Sequence, residues 1–363
     1  MKKDLIVLTT GGTGGHIFPA ATLAQVLQAR GYETAFITDK RAKNIPECMG
    51  KVYRVVAEGI TGRSFFKKVL AAIKLLLGSF QAGFLLLKLK PKAVIGFGGY
   101  ASVPTGLAAQ FLHFPVFLHE QNAVLGRANR LLARRTKMIA TSFTPTALVP
   151  ENVPTVQTGM PVRPPILEKT DMPYPEIGTD FNLLIIGGSQ GAKMFSSVIP
   201  SALNNLPPYL KARLILTQQV RAEDMDAVRE AYRNSGIKSI TLEPFFTNIA
   251  DLLTEAHLVI SRAGSSSLAE LAALGKPALL VPLPTAADDH QTANARSFTQ
   301  NGGGWLMVEK DFTPQTLGAR LSELMENQNV LQKASKLAKQ KATLNAAEQL
   351  CDAILLYLKK GKK

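Results

Sequence analysis

Two short apolar runs in this chain, the second interrupted only by Asn182, pass straight into glycine-rich loops, and that arrangement constrains the fold most. Leu5-Ile6-Val7-Leu8 leads into Thr9-Thr10-Gly11-Gly12-Thr13-Gly14-Gly15-His16. Phe181-Asn182-Leu183-Leu184-Ile185-Ile186 leads into Gly187-Gly188-Ser189-Gln190-Gly191-Ala192-Lys193. Apolar runs without alternation suit parallel strands covered on both faces. Parallel strands need helical crossovers, and open α/β sheets bind ligands at the carboxyl ends of their strands, where both loops fall. Further strands are expected at 51–57, 93–97, 115–122, 138–143 and 155–159, then at 213–217, 239–243, 257–260, 278–282 and 305–308. The expectation is an α/β chain of two facing Rossmann-like domains with a cleft between them.

At 363 residues the chain suits about two domains. The proline-rich tract from Met160 to Pro175 reads as the linker. Domains are expected at 1–162 and 163–344, with a final helix over 345–358 crossing back onto the first.

Neither glycine loop fits a common nucleotide fingerprint. In Gly12-Thr13-Gly14-Gly15-His16-Ile17 the third glycine of a dinucleotide loop is replaced by Ile17, although Asp39 lies near the ribose-binding distance. A β-branched side chain there obstructs close helix–strand packing. A helix is expected from Pro19 to Arg30, closed by Gly31. In the second loop Ala192 and Met194 displace the glycine and the hydroxyl residue of a phosphate-binding P-loop.

The stretch from His257 to Asn294 is the richest in chemistry. A strand turns at Arg262-Ala263-Gly264, three serines follow, and the pattern Leu268 to Leu274 reads as a helix stopped by Gly275 and Pro277. Serines at a helix start can cap free N–H groups, and the dipole there favours phosphate. Glu270 lies about one turn further in, placed to accept from a ribose diol. The loop carrying Asp288, Asp289, His290, Gln291 and Asn294 offers polar groups to a sugar. Phosphate, ribose and sugar contacts in one βαβ unit suggest a nucleotide-sugar site; an ordinary serine-capped βαβ unit is the alternative.

Apolar residues make up 46% and charged residues 19%, which describes a folded chain. Cys48 and Cys351 have no motif spacing, which fits a reducing compartment and gives no zinc site. The apolar run at the N-terminus ends by Leu8, too short for a signal peptide. A net charge of +15 calls for an acidic partner, yet no nucleic-acid motif accompanies it. No acidic residue lies between Glu58 and Glu120, whereas Arg63, Lys67, Lys68, Lys74, Lys88, Lys90 and Lys92 do.

Within that segment Phe66, Leu70, Ile73, Leu77, Phe80, Phe84 and Leu87 alternate by four and three, the spacing of one helical face, with Phe65 just before them. Lys67, Lys74, Gln81 and Lys88 recur every seven residues on an adjacent stripe. A helix kinked or split at Gly78 or Gly83, lying in a membrane interface with its lysines at headgroup level, accounts for both. Lys74 and Gln81 argue against a transmembrane span. The alternative is a core helix whose lysines snorkel.

Taken together, Gly11 to His16, Gly98-Gly99-Tyr100, His119-Glu120-Gln121-Asn122, Met160-Pro161-Val162-Arg163, Gly187 to Ala192 and Asp288 to Gln291 resemble the MurG family from about Leu5 to the final helix. These bacterial glycosyltransferases add N-acetylglucosamine to lipid I, making lipid II for peptidoglycan. The resemblance implies the GT-B fold, UDP-N-acetylglucosamine as donor, lipid I as acceptor, and peripheral attachment to anionic lipids on the cytoplasmic face of the inner membrane. It puts Thr13, Gly14 and Gly15 on the donor's phosphate or sugar side and Asn122 on the sugar. It puts Arg163 and Ser189 on diphosphate and nucleotide, Phe246 at the uracil, Ser265 and Ser266 on phosphate, Glu270 on ribose and Gln291 on sugar hydroxyls. Phe246 and the triple serine depart from the family pattern.

The reaction expected is displacement at the anomeric carbon by the acceptor's 4-hydroxyl, which needs a base and charge relief for UDP. His16 and Glu120 are the candidate bases; the alternatives are a loop-orienting imidazole and a structural carboxylate. Asp288 and Asp289 are adjacent, not spaced as a metal-holding pair, so no metal and no cofactor is expected. The competing functions are a UDP-N-acetylglucosamine 2-epimerase and a non-catalytic UDP-sugar-binding subunit that recruits a partner to the membrane.

Overall fold

The structure is a computed structural model that describes residues 3–11, 14–42, 45–57, 65–188 and 192–360. The chain divides into two compact units, Met1–Arg163 with Thr343–Lys363, and Pro164–Ala342.

The first unit opens with β1 (Leu5–Thr9), α1 (Gly14–Ala29), β2 (Glu33–Thr38), β3 (Lys51–Arg54), α2 (Phe65–Leu89) and β4 (Ala93–Gly96). It continues with α3 (Ser102–Phe111), β5 (Val116–Glu120), α4 (Arg127–Ala133), β6 (Met138–Thr141) and β7 (Thr155–Gln157). All seven strands pair in parallel, in the order β3-β2-β1-β4-β5-β6-β7. Alternation along the strands feeds two separate cores. Ile6, Leu8, Phe36 and Phe117 pack with Leu23 and Leu27 of α1 on one face, and Val7, Ile37 and Val94 pack with Leu86 and Leu132 on the other.

The second unit holds α5 (Pro164–Leu167), β8 (Phe181–Ile186), α6 (Lys193–Asn204), α7 (Pro208–Lys211), β9 (Leu214–Gln219), α8 (Met225–Tyr232) and β10 (Ser239–Glu243). Then come α9 (Ile249–Glu255), β11 (Leu258–Ser261), α10 (Ser265–Ala273), β12 (Ala278–Leu280), α11 (His290–Thr299), β13 (Gly304–Leu306), α12 (Pro314–Glu326) and α13 (Gln328–Lys339). Its six parallel strands run β10-β9-β8-β11-β12-β13. Phe181, Leu183 and Ile185 of β8 pack with Phe195, Ile199 and Leu321 in its core. α14 (Ala346–Lys360) belongs to the first unit, where Leu350, Cys351 and Ile354 complete the core beside α1.

In each sheet the chain steps outward from a central strand and then restarts on that strand's other side. The switch points lie between β1 and β4 and between β8 and β11. Crevices open there at the carboxyl edge, because the loops leaving the two central strands diverge.

Two local expectations change. α1 begins at Gly14, not Pro19, so His16 lies in its first turn and not in a preceding loop. Burial of Ile17, Ala20 and Ala21 outweighs the poor helical propensity of the glycines and of Pro19. α2 is one continuous helix, with no break at Gly78 or Gly83. Gly78 serves close approach: a Cβ there would lie 1.9 Å from the Val56 carbonyl oxygen.

Candidate active site

The first-unit site is built on the loops after β1, β4 and β5. The Gly11 N–H donates to the Gly98 carbonyl at 3.0 Å, joining the loops across the switch point. Gly98 and Gly99 take φ of 79° and 75°, and a Cβ on Gly99 would lie 2.8 Å from Gly11 Cα. Only glycine serves both demands. The His16 ring lines this wall: Cβ atoms at Gly11 and Gly99 would each lie 3.7 Å from its Cδ2, and one at Gly98 3.7 Å from its Cε1. Gly14, Gly15 and His16 form the amino-terminal turn of α1, whose N–H groups and dipole face an anion favourably.

Glu120 ends β5 and is 2% exposed. Its Oε1 accepts from the Asn122 backbone N–H at 2.9 Å and from Asn122 Nδ2 at 3.2 Å. Its Oε2 accepts from the Gly126 N–H at 2.9 Å and from Asn129 Nδ2 at 2.8 Å. Four donors from the following loop and α4 thus converge on one carboxylate, which shapes the segment carrying Asn122. His119, the residue before it, is fully buried; its Nε2 donates to the Gly159 carbonyl at 3.0 Å and its ring lies 5.4 Å from that of Phe97. Burial pushes its pKa down to about 4, so the imidazole is neutral at pH 7. Arg163 closes the first unit with its guanidinium 5.0 Å over the Phe18 ring of α1.

The second-unit site surrounds the start of α10. Its N-cap is Gly264 and no side chain caps it. The expected serine cap is therefore absent: Ser265, Ser266 and Ser267 are the first helical residues, and the chain enters through a glycine. Glu270 is half-buried on the same helix, five positions beyond Ser265, about 7.5 Å along the axis. Gln291 sits in the first turn of α11, where its Oε1 accepts from the Ala263 N–H at 3.2 Å and the Leu283 N–H at 3.0 Å. Buried Asn294 donates through Nδ2 to the Ala263 carbonyl at 3.1 Å. Arg262 is consumed structurally. Its Nη1 donates to the Val281 and Pro282 carbonyls at 3.1 and 3.2 Å, pairs with Glu309 at 2.5 Å, and the guanidinium lies 5.1 Å over Phe195. Asp288 and Asp289 both adopt left-handed φ, 54° and 51°, in the turn before α11. Phe246 is half-buried in the bend after β10.

Sequence reading thus brought Gly14, Gly15, His16, Glu120 and Asn122 to one carboxyl edge and Phe246, Ser265, Ser266, Glu270 and Gln291 to the other. Thr13 and Ser189 lie outside the described residues, as do the side chains of Phe65, Phe66, Lys67 and Lys68. Among the described residues no three His, Cys, Asp or Glu side chains group as a metal site. The reading missed Asn129 and Gln219. Both are buried polar residues near carboxyl edges, and their polar sequence neighbours, Arg127 and Arg130 for one and Gln218 for the other, gave no signal of that burial.

Residues 6–141 match the glycosyltransferase family 28 N-terminal domain and residues 182–350 its C-terminal domain. A relative from Rhodospirillum rubrum is 49% identical over 355 residues, covering 96% of this chain and 91% of its own. It is named UDP-N-acetylglucosamine–N-acetylmuramyl-(pentapeptide) pyrophosphoryl-undecaprenol N-acetylglucosamine transferase. The crystal structure of Acinetobacter baumannii MurG has a TM-score of 0.78 at 32% identity, covering 97% of this chain and 99% of that one. The chain belongs to the MurG family of glycosyltransferases. The GT-B fold of the family is therefore that of this chain, its two sheets corresponding to the two matched domains. A putative UDP-N-acetylglucosamine 2-epimerase from Listeria monocytogenes also has a TM-score of 0.70, covering 98% of this chain and 97% of its own, but at 15% identity. That likeness is one of fold alone.

Proposed function

We propose that this MurG-family chain moves N-acetylglucosamine from UDP-N-acetylglucosamine to the 4-hydroxyl of the N-acetylmuramyl unit of lipid I, with inversion, yielding lipid II. The observation that carries the reading is the near-full-length identity to transferases named for this activity, joined to the placement of every described motif residue at a carboxyl edge. In this reading the second unit binds the donor. The first turn of α10, with Ser265 and Ser266, meets phosphate; Glu270 accepts from ribose hydroxyls; Phe246 lies at the uracil. With Gln291 Oε1 turned to backbone N–H groups, its amide nitrogen is the end offered to the sugar. Thr13, Gly14, Gly15, Asn122, Arg163 and Ser189 complete the donor contacts.

His16 is proposed as the base. The acceptor oxygen attacks the anomeric carbon, the bond to UDP breaks with its electron pair, and the hydroxyl proton passes to the imidazole. Glu120 is assigned a different part. Its four donors make it the strut that shapes the Asn122 loop, and no direction of approach remains for an acceptor hydroxyl without breaking one of them.

The lipid-linked acceptor brings the first unit to a membrane surface, peripherally, on the cytoplasmic face. α2 supports this by the inversion of its faces. Small residues, Ala71, Gly78 and Ala82, are buried against the fold, whereas Phe80 and Phe84 are 80% and 70% exposed and Ile73, Leu76 and Leu87 are more than half exposed. Leu86 is the large side chain that α2 does bury, and the exposure of the others supports an interfacial helix over a core helix whose lysines snorkel. Residues Val69–Leu89 are long and apolar enough to cross a membrane, with mean hydropathy 1.9. The close seat of Gly78 on Val56 favours a helix lying on the surface. Lys74 and Lys88, with Lys67 and Lys68, then serve anionic headgroups.

The test is a single assay of labelled UDP-N-acetylglucosamine with a lipid I analogue, products identified by mass. A product heavier by one N-acetylhexosamine is expected, and His16→Ala should lower turnover by about 10²–10⁴-fold with UDP affinity held. UDP-N-acetylmannosamine, an isomer of equal mass resolved from the donor by chromatography, would point to the epimerase instead. Near-normal turnover in the mutant would remove His16 as base.

A further inference from the structure

We infer that Gln219 is a positioning residue that couples the phosphate-side loop of the second unit to its base-side loop. It is the last residue of β9, the strand between β8 and β10, and is 9% exposed. Its single amide reaches both neighbouring loops. Oε1 accepts from the Gly187 N–H at 3.0 Å, at the head of the glycine-rich loop after β8. Nε2 donates to the Pro244 carbonyl at 3.2 Å, two residues before Phe246 in the bend after β10. The adjacent Gln218 points elsewhere, its Oε1 accepting from the Tyr232 hydroxyl at 2.7 Å, as alternation along a strand requires. Gln219 is therefore the one of the pair that meets the ligand-side loops.

A planar amide that donates from one end and accepts at the other holds its two partners at a fixed separation. Neither loop can shift without lengthening a bond in a buried site. The consequence for chemistry is specificity. A nucleoside diphosphate spans from a base contact near Phe246 to phosphate contacts at the glycine loop and α10, so the spacing of those loops fixes how the loop at Phe246 meets the hydrogen-bonding edge of the base. Gln219 touches neither end of the ligand; it sets the distance between the groups that do.

The inference rests on the donor reading above, and the experiment separates the two. Titration calorimetry with UDP and with CDP on the full-length protein, wild type against Gln219→Leu and Gln219→Glu, reads the coupling directly. Gln219→Leu removes both bonds and should weaken UDP roughly tenfold. KM for UDP-N-acetylglucosamine should rise in parallel, with turnover at saturation nearly unchanged. The preference for UDP over CDP should narrow. Gln219→Glu keeps the acceptor toward Gly187 but cannot donate to Pro244, so it should lose base discrimination more than overall affinity. If the leucine variant does not unfold cooperatively, the isosteric glutamate variant decides. UDP affinity and discrimination at wild-type values in a folded variant would overturn the proposal alone. Wild-type protein that bound no UDP would sink the donor reading and this proposal with it.

Discussion

His119 shows how a residue that looks like an active-site candidate can be a stability element. Its neutral ring is enclosed, donates once to Gly159, and has its pKa lowered from 6.5 to about 4 chiefly by burial. The unfolded chain therefore binds a proton more tightly than the folded one. Stability from this group is full above pH 6.5 and is lost as pH falls through about 4. The loss amounts to about 3 kcal/mol in all and about 2 kcal/mol by pH 5. His119→Gln keeps a donor for Gly159 without titrating, so urea unfolding at pH 7 and pH 5 should show wild type losing about 2 kcal/mol more than the variant. Identical pH dependence would mean the ring is not held neutral. Glu120 next to it makes the same point: a carboxylate at a strand's carboxyl end reads as a base until its four partners are known.

At the scale of elements, α2 separates a packed face from a free one. Phe80→Ser with Phe84→Ser removes two exposed rings, so folding stability should change by no more than about 0.5 kcal/mol. Sedimentation with anionic vesicles should fall at least about tenfold, since each ring buried in the interface contributes about 1.5–3 kcal/mol. Gly78→Ala should do the opposite. A methyl group at 1.9 Å from the Val56 carbonyl oxygen forces the helix off its seat, costing about 1–3 kcal/mol of stability. If the double serine variant is as destabilised as Gly78→Ala, the aromatic face is packed and the interfacial reading fails.

At the scale of the whole molecule, the two units carry separate cores, and α14 returns to the first of them. A chain ending at Leu344 should lose the core contacts of Leu350 and Ile354 while leaving β8, β11 and α10 intact. Hydrogen exchange should speed up in β1 and β4 and stay at wild-type rates in β8 and β11. Faster exchange in both units together would show that the units do not stand alone. The amino-acid sequence by itself determined which segments become strands and which edge carries the chemistry. Both signals are local: an apolar run of four to six residues buries on two faces wherever it lies, and the loop that follows must fall at its carboxyl end. Only the tertiary structure decided how individual polar side chains are spent. Glu120, Gln291 and Gln219 take partners from backbone N–H groups that other strands and loops bring to them, Gln219 and Gly187 lying 32 residues apart. The start of α1 at Gly14 and the outward face of α2 were also set by neighbours distant in sequence. Burial against other elements there outweighed local propensity, and no pattern within a single segment records it.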